Sequence, residues 1–349
     1  MVDVLYRQLD FKKIHVGRFT CLACCLFFVL FSTVPGTAEV TLNGTSHISL
    51  KTVAGKWGMQ YQWLSKNKEV LLSSQWTRLQ FKLHQRYCLL NGNRIFLGWP
   101  VSFHRGDLYI SERDFESALN PILVPQTFSD VPKLYRIVID PGHGGRDHGA
   151  ENRRLGVNEK DNTLKLANML KQKLSAHGYE VLLTRTKDEF VALTERSDFA
   201  NQRKADLFIS LHFNSTRQAS VEGVETFVFT LPWHPSTSRS KLSDSDKRSY
   251  PGNEHSTWSS LAGYYIHSSI VSGIAANDRG LKRARFTVLR DLNCPGLLIE
   301  GGFLSHQQEG SQIMTNAYQK RLADAIVEGI LIYQKTLNRI RSANADSLK

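Results

Sequence analysis

From Leu134 onward, short apolar runs alternate with longer stretches in which apolar residues recur every three or four positions. The runs predict strands over 135–140, 179–184, 207–211, 223–229, 286–289 and 296–300. The longer stretches predict helices over 158–177, 193–204, 258–276 and 316–336. Gly178 stands where a glycine ends a helix in the left-handed conformation. Strands alternating with helices predict an α/β fold, a mostly parallel sheet with helices on both faces.

Residues 39–128 have a different texture. "SLKTVAGKWG" reads as a short helix with Leu50, Val53, Ala54 and Trp57 on one face. Short strand-like pieces follow: "EVLLSS", "TRLQFKL", "YCLL" and "RIFL". "NGN" at 91–93 is a hairpin signal between the last two. "GDLYISERDFESAL" reads as a strand and then a helix opened by Ser111. Together they predict a small α+β module over 39–128, whose pattern resembles the N-terminal domain of copper amine oxidases. Residues 129–133 read as a linker, and Pro121, Pro125 and Pro132 crowd the stretch around it. The catalytic candidate is 134–338, and 339–349 reads as a flexible tail. Within it, polar residues 232–257 break the alternation and predict a long loop, of a kind that is often functional.

At the N-terminus, Arg7, Lys12, Lys13 and Arg18 precede an apolar run from Phe19 to Val34, followed by small residues Gly36 and Ala38. This is the layout of an export signal over 1–38, with an uncleaved membrane anchor as the alternative. The predicted location is therefore exported, periplasmic or cell-envelope, with membrane contact only through that segment. Cys24 and Cys25 lie inside the run, so a lipoprotein signal does not fit. Of five cysteines, only Cys88 and Cys294 lie beyond the leader. Two buried thiols are expected rather than a disulfide framework. The formal charge of +12 favours an acidic partner. The surplus is diffuse, with no basic block interleaved with aromatics, so no nucleic acid is expected.

In an open sheet, chemistry gathers beyond the carboxyl ends of the strands. The first predicted strand runs into "DPGHGG" and His143, the third into His212 and Asn214, and the sixth into Glu300. Glu159 opens the helix after the first strand. Two imidazoles and two carboxylates therefore converge on one rim. Two histidines and a carboxylate are a zinc ligand set, and a second carboxylate can serve as general acid and base. Zinc polarises carbonyls and acidifies water, which suits amide hydrolysis. The glycines around His143 raise a phosphate-binding alternative. However, "GHGGRDHG" lacks the lysine and Ser/Thr of a P-loop and the dinucleotide spacing. A histidine at a strand end is unremarkable alone, and Glu159 alone would be a solvated acid at a helix start.

"IVIDPGHGGRDHGA", "NEKDNTLKLANML", "YEVLLTRTKDEFVALTERSDFANQRKADLFISLHFNS" and "VLRDLNCPGLLIEGGFLSH" resemble the successive signatures of the zinc-dependent N-acetylmuramoyl-L-alanine amidases. The resemblance covers roughly 133–336. It implies zinc (Zn2+) held by His143, Glu159 and His212, with Glu300 as catalytic acid/base. It implies a twisted mixed sheet with helices on both sides. It also implies a peptidoglycan substrate, cut between N-acetylmuramic acid and L-alanine during wall remodelling or daughter-cell separation. Asp147 is expected to support a ligand or its loop. His148 stands where relatives often have proline and is not read as a ligand. Arg185 and Arg196 are expected to hydrogen-bond structurally. Phe213 replaces a small residue and is expected to narrow the groove. Some relatives carry a helix that plugs the zinc site until an envelope activator removes it. Residues 232–257 lack the amphipathic stretch for such a plug. The alternatives are an inactive peptidoglycan-binding or regulatory protein on the same fold, and a zinc peptidase acting on the stem peptide. The module carries no candidate chemistry, so 133–349 alone is expected to carry turnover.

Overall fold

The computed structural model describes residues 40–42 and 44–347. The leader over 1–38 lies outside the described residues. Among these residues, no helix is long and apolar enough to cross a membrane.

The first part of the chain holds β1 (Val40–Leu42), β2 (Thr45–Ser49), α1 (Leu50–Trp57), β3 (Gln60–Ser65), β4 (Glu69–Ser73), β5 (Arg78–Lys82), β6 (Tyr87–Leu90), β7 (Asn93–Phe96), β8 (Ser102–His104) and β9 (Asp107–Ser111). Strands β3 to β7 form an antiparallel meander. Asn91 and Gly92 join β6 to β7 with φ of 49° and 87°. Two positive φ values are the type I′ turn that the "NGN" signal predicts. Strands β1, β2, β9 and β8 form a second, four-stranded sheet. Ser111 caps the helical turns after β9, its side chain accepting from Asp114 N–H.

The second part supplies β10 (Arg136–Pro141), the short β11 (Glu151–Asn152) and β12 (Val157–Asn158), α2 (Glu159–Ala176), β13 (Glu180–Leu183), α3 (Leu193–Gln202), β14 (Leu207–Asn214), β15 (Val224–Phe229), α4 (Ser256–Ile274), β16 (Asp278–Ala284), β17 (Gly296–Phe303), α5 (Gln307–Ile313) and α6 (Asn316–Ser347). Strands β13, β10, β14 and β17 are parallel. β15 then pairs antiparallel to β17, and β16 runs parallel to β15. The sheet is thus mixed. Alternate residues face opposite layers. Ile137, Ile139, Ile209, Leu211 and Ile299 pack toward α2, α4 and α6. Val138, Phe208 and Leu298 pack toward α3 and the helical turn Thr287–Arg290.

The two parts share one eleven-stranded sheet. β7 pairs with β16 at Ile95 and Leu281, and one apolar cluster runs from Val70, Phe81 and Ile95 into the helices of the second part. Polar contacts cross the same seam. Arg94 N–H donates to the Asp278 carboxylate at 2.6 Å. The buried Arg283 guanidinium donates to Ser117 O at 2.9 Å. His234 Nε2 lies 2.9 Å from Asp114 Oδ1, both fully buried.

Two local expectations change. The strand expected at 286–289 is instead the helical turn Thr287–Arg290 that buries Val288 and Leu289. The strand there is β16, whose "DRGLKRA" carries four charges and a glycine and reads as a solvated loop. Its charges are taken up by partners: Arg279 and Lys282 by Glu225, and Asp278 by His267. The tail expected to be flexible from 339 continues α6 to Ser347. Leu337 and Ile340 extend its buried stripe at helical spacing. Cys88 and Cys294 are buried free thiols.

Candidate metal centre

β10 and β14 end side by side, and α2 begins beneath them. His143 follows β10 with φ of 63°, which turns its ring back over the sheet rim. Glu159 is the first residue of α2, where the helix dipole favours a carboxylate. It is 4% exposed. Its Oε2 lies 3.1 Å from His143 Nε2, and its Oε1 lies 2.8 Å from His212 Nδ1. Phe213 N–H and Ala150 N–H also donate to this carboxylate, at 3.0 and 2.7 Å. One donor atom from each of His143, Glu159 and His212 falls within 4.8 Å of the others. The two rings stand edge to face with centroids 4.8 Å apart.

The glycine-rich loop makes this approach fit. A Cβ on Gly142 would lie 2.3 Å from the His212 ring. One on Gly149 would lie 2.6 Å from both Glu159 Oε2 and the His143 ring. Any side chain at either position would occupy the ligands' own space. Two buried arginines fix the loop from below. Arg185 donates to the carbonyls of Pro141, Gly142 and Lys160. Arg196 pairs with the fully buried Asp140 at 2.7 Å and donates to His143 O. Asp147 Oδ2 lies 2.9 Å from His143 Nδ1, and its Oδ1 accepts from Gly149 N–H. It therefore holds both the ring and the loop. His148 points instead to Glu151.

Glu300 sits on β17 opposite His212 on β14 and opposite Glu225 on β15. Register partners point to the same side of a sheet. Its Oε2 is buried and accepts no hydrogen bond. Burial, then the charges of Glu159 and Glu225, push its carboxyl well above the usual carboxylate range, against a smaller opposing pull from Lys282. Glu159 moves the other way. Burial works to raise it, but hydrogen bonds and charge from His143 and His212 outweigh burial and hold it well below that range. Burial works to lower His143, yet Glu159 and Asp147 outweigh it and leave the imidazole raised. One rim thus holds an ionised carboxylate between two histidines and, beside it, a carboxyl that favours its proton.

Three site features escape a reading of strand ends. Glu225 is 4% exposed and bonds Arg279 and Lys282 at 2.7 Å each. It sits at the start of β15, and an antiparallel strand brings its beginning, not its end, to this rim. The "VEGVE" opening of that strand is the signal that could have found it. Lys282 stands on β16, a strand for which the sequence shows no apolar run. Phe213 corrects an expectation: it is fully buried and lies beneath Gly301, whose added Cβ would meet its ring at 3.1 Å. Successive strand residues face opposite ways, so His212 takes the rim and Phe213 the core. It does not narrow the groove.

The loop after β15 lies on the opposite rim, because β15 runs against β17. It holds two short 3₁₀ turns, Asp244–Lys247 and Pro251–Asn253, rather than a long helix, and no part of it plugs the histidine pair.

Fold and donor set together define a class: an α/β protein with a histidine–carboxylate centre of the kind hydrolases use. Comparison with known proteins narrows it. The N-acetylmuramoyl-L-alanine amidase family matches residues 137–331, and the chain belongs to that family. The copper amine oxidase N-terminal domain matches residues 33–122. The sporulation-specific N-acetylmuramoyl-L-alanine amidase of Bacillus subtilis (strain 168) is 33% identical over 199 residues, covering 56% of this chain and 67% of that protein. The amidase AmiA of Escherichia coli (strain K12) is 28% identical over 218 residues, covering 56% of this chain and 75% of that protein. The crystal structure of an N-acetylmuramoyl-L-alanine amidase from Clostridium difficile 630 is similar with a TM-score of 0.48 and 34% identity, over 58% of this chain and 97% of that one.

Proposed function

We propose that this protein hydrolyses the amide between N-acetylmuramic acid and L-alanine in peptidoglycan, outside the cytoplasm, with zinc at the His143–Glu159–His212 site. The observation that carries the reading is the pairing on one rim of a preformed N,N,O donor set with a buried carboxylate oxygen that has no protein partner. A buried carboxylate without partners is costly and marks a group kept for chemistry. The donor set fits zinc: two borderline nitrogens and one oxygen, with the second histidine nitrogen of His143 held by Asp147 in the way that orients metal-bound imidazoles.

When bound there, zinc supplies polarisation of the scissile carbonyl and activation of water. The remaining work belongs to the chain. Asp147 fixes the tautomer and orientation of His143. Arg185 and Arg196 hold the carbonyls of the loop that carries it. Glu300 takes a proton from the attacking water and delivers it to the departing alanine nitrogen. Its raised affinity for a proton suits a group that must both accept and donate near neutral pH. Glu225, neutralised by Arg279 and Lys282, sets part of the field at Glu300. The separate family matches support a catalytic unit at 134–338 and a module at 39–128.

The test is Glu300→Gln, which keeps shape and removes the base. Release of intact stem peptide from soluble muropeptides, followed by mass spectrometry, is expected to fall about 10²- to 10⁴-fold. Zinc content is expected to stay at the parent level. Loss of zinc would make Glu300 a ligand, and unchanged turnover would remove it from the mechanism. Cleavage within the stem peptide instead would establish a peptidase.

A further inference from the structure

On the opposite rim, the loop after β15 and the helical turns after β9 enclose a groove of about 600 Å³. Trp99, Trp233 and Leu242 line it together with Glu112, Arg113 and Glu116. Trp233 is 50% exposed, and its backbone is left-handed at φ 59°. That conformation suits glycine and strains a large aromatic residue. The surroundings hold it there. Trp233 N–H donates to Asp246 O at 2.6 Å. Arg113 Nη1 donates to Pro232 O at 2.7 Å on one side, and His234 is locked against Asp114 on the other. Asp246, fully buried, is gripped by Arg239 at 2.9 Å and Arg285 at 3.3 Å. Lys247 Nζ lies 5.8 Å from the centre of the indole. A rigid loop therefore displays an indole that burial does not require.

We propose that this groove is a second carbohydrate site, which takes a neutral amino-sugar glycan by stacking on Trp233. An exposed aromatic platform flanked by side chains that both donate and accept matches the apolar face and polar edge of a pyranose. The charge decides against other polymers. Two carboxylates and one guanidinium line the groove, so a polyanion or an acidic stem peptide is disfavoured there in spite of the protein's overall positive charge. The proposal rests on the peptidoglycan reading above for the identity of the polymer. It assigns the glycan strand, not the peptide, to this rim. The metal centre and the groove would then hold one substrate at two points, a gain by effective concentration rather than by new chemistry at the metal.

The experiment uses the full chain with chitotetraose as probe, followed by tryptophan fluorescence and saturation-transfer NMR. Saturable binding is expected, weakened about tenfold or more in Trp233→Gly. That variant suits the local φ, so its fold is retained, and its turnover on short soluble muropeptides is expected to match the parent. Glu116→Ala, at an exposed position, provides a second arm and is expected to weaken binding by a smaller factor. Absence of saturable binding overturns the proposal, and so does binding unchanged in Trp233→Gly. Displacement of the probe by a poly(glycerol phosphate) polymer would make the site one for anions and overturn it equally. The two readings fail separately. Muropeptide cleavage without chitotetraose binding sinks the groove alone, and chitotetraose binding without cleavage sinks the amidase alone.

Discussion

The two rims of the same sheet treat buried charge in opposite ways. On the far rim, the Asp114 carboxylate is surrounded by partners: the Gly98 and Trp99 amides donate to it, and His234 Nε2 lies 2.9 Å away. Both ring nitrogens of His234 face oxygen atoms, Asp114 Oδ1 and Pro235 O, each at 2.9 Å. Asp246 is held in the same manner by Arg239, Arg285 and Ser243. On the metal rim, Glu159, Glu225 and Glu300 stand close enough for their charges to act on one another, and Glu300 keeps an oxygen with no partner. The difference teaches where this chain spends stability and where it withholds it. Matched charges fasten the module and the loop. On the metal rim one carboxyl, Glu300, is left short of partners where a reacting proton can complete it, beside a Glu159 carboxylate placed to share a cation with two histidines.

The strongest way to break this comparison is to remove a ligand. His143→Ala or His212→Ala is expected to abolish stoichiometric zinc and with it turnover, since three protein ligands leave no redundancy. Thermal unfolding of the metal-free forms should shift to lower temperature, because the buried Glu159 carboxylate loses one of its two imidazole partners. Full zinc by elemental analysis in both variants would refute the ligand assignment. Asp114→Ala tests the other rim. It leaves the buried His234 ring and two amides without their acceptor, and chemical denaturation should report a loss of about 3–5 kcal/mol. Zinc per folded molecule should be unaffected. By the same reasoning, residues 133–349 alone, cut from β7, Asp114 and Ser117, are expected to be unstable or aggregated. This departs from the separability that the sequence suggests. It follows from the edge of β16 and the Arg283 guanidinium being stripped of their partners.

A smaller effect concerns pH. His143 is raised in the folded, metal-free protein, so its pairing stabilises fully below the unfolded value near 6.5. That contribution is lost as pH rises through the folded value. Glu159 is lowered, so its contribution is present above the ordinary carboxylate range and is lost as pH falls below it. Zinc requires neutral histidines, so the stabilisation that zinc adds should grow with pH across the His143 window. Melting curves with and without zinc between pH 5 and 8 check the sign; a zinc increment that shrinks as pH rises would contradict it. Glu300 is raised, so near neutrality the fold keeps a proton that the unfolded chain releases, at a cost in stability. Glu300→Gln should therefore raise the melting temperature of the metal-free protein while it abolishes function.

Much of this was legible in the residues. Helix and strand periods located the four long helices and five of the six expected strands of the catalytic half, because a sheet buried on both faces must be written as apolar runs. The ends of the apolar runs pointed to His143, His212 and Glu300, although β14 and β17 continue past them to Asn214 and Phe303. Glu225 was missed, since the same rule points the wrong way for an antiparallel strand. β16 was missed, since its charges look solvated until Glu225 and His267 are brought beside them. Phe213 was placed in the groove, since one residue's step along a strand changes its face.

By itself the sequence determined the local periods, the type I′ turn at Asn91–Gly92, the loop glycines beside the histidines and the order of the four reactive residues. These depend on each residue's own backbone preference or on neighbours a few positions away. Only the tertiary structure decided that the module and the catalytic half share one sheet, and that β15 and β16 run backwards. It alone decided which carboxylates are satisfied and which are not. Those outcomes depend on pairings between residues more than a hundred positions apart, such as Asp114 with His234 and Ile95 with Leu281. No local period encodes such pairings, because their free energy exists only once the chain has closed the intervening loop.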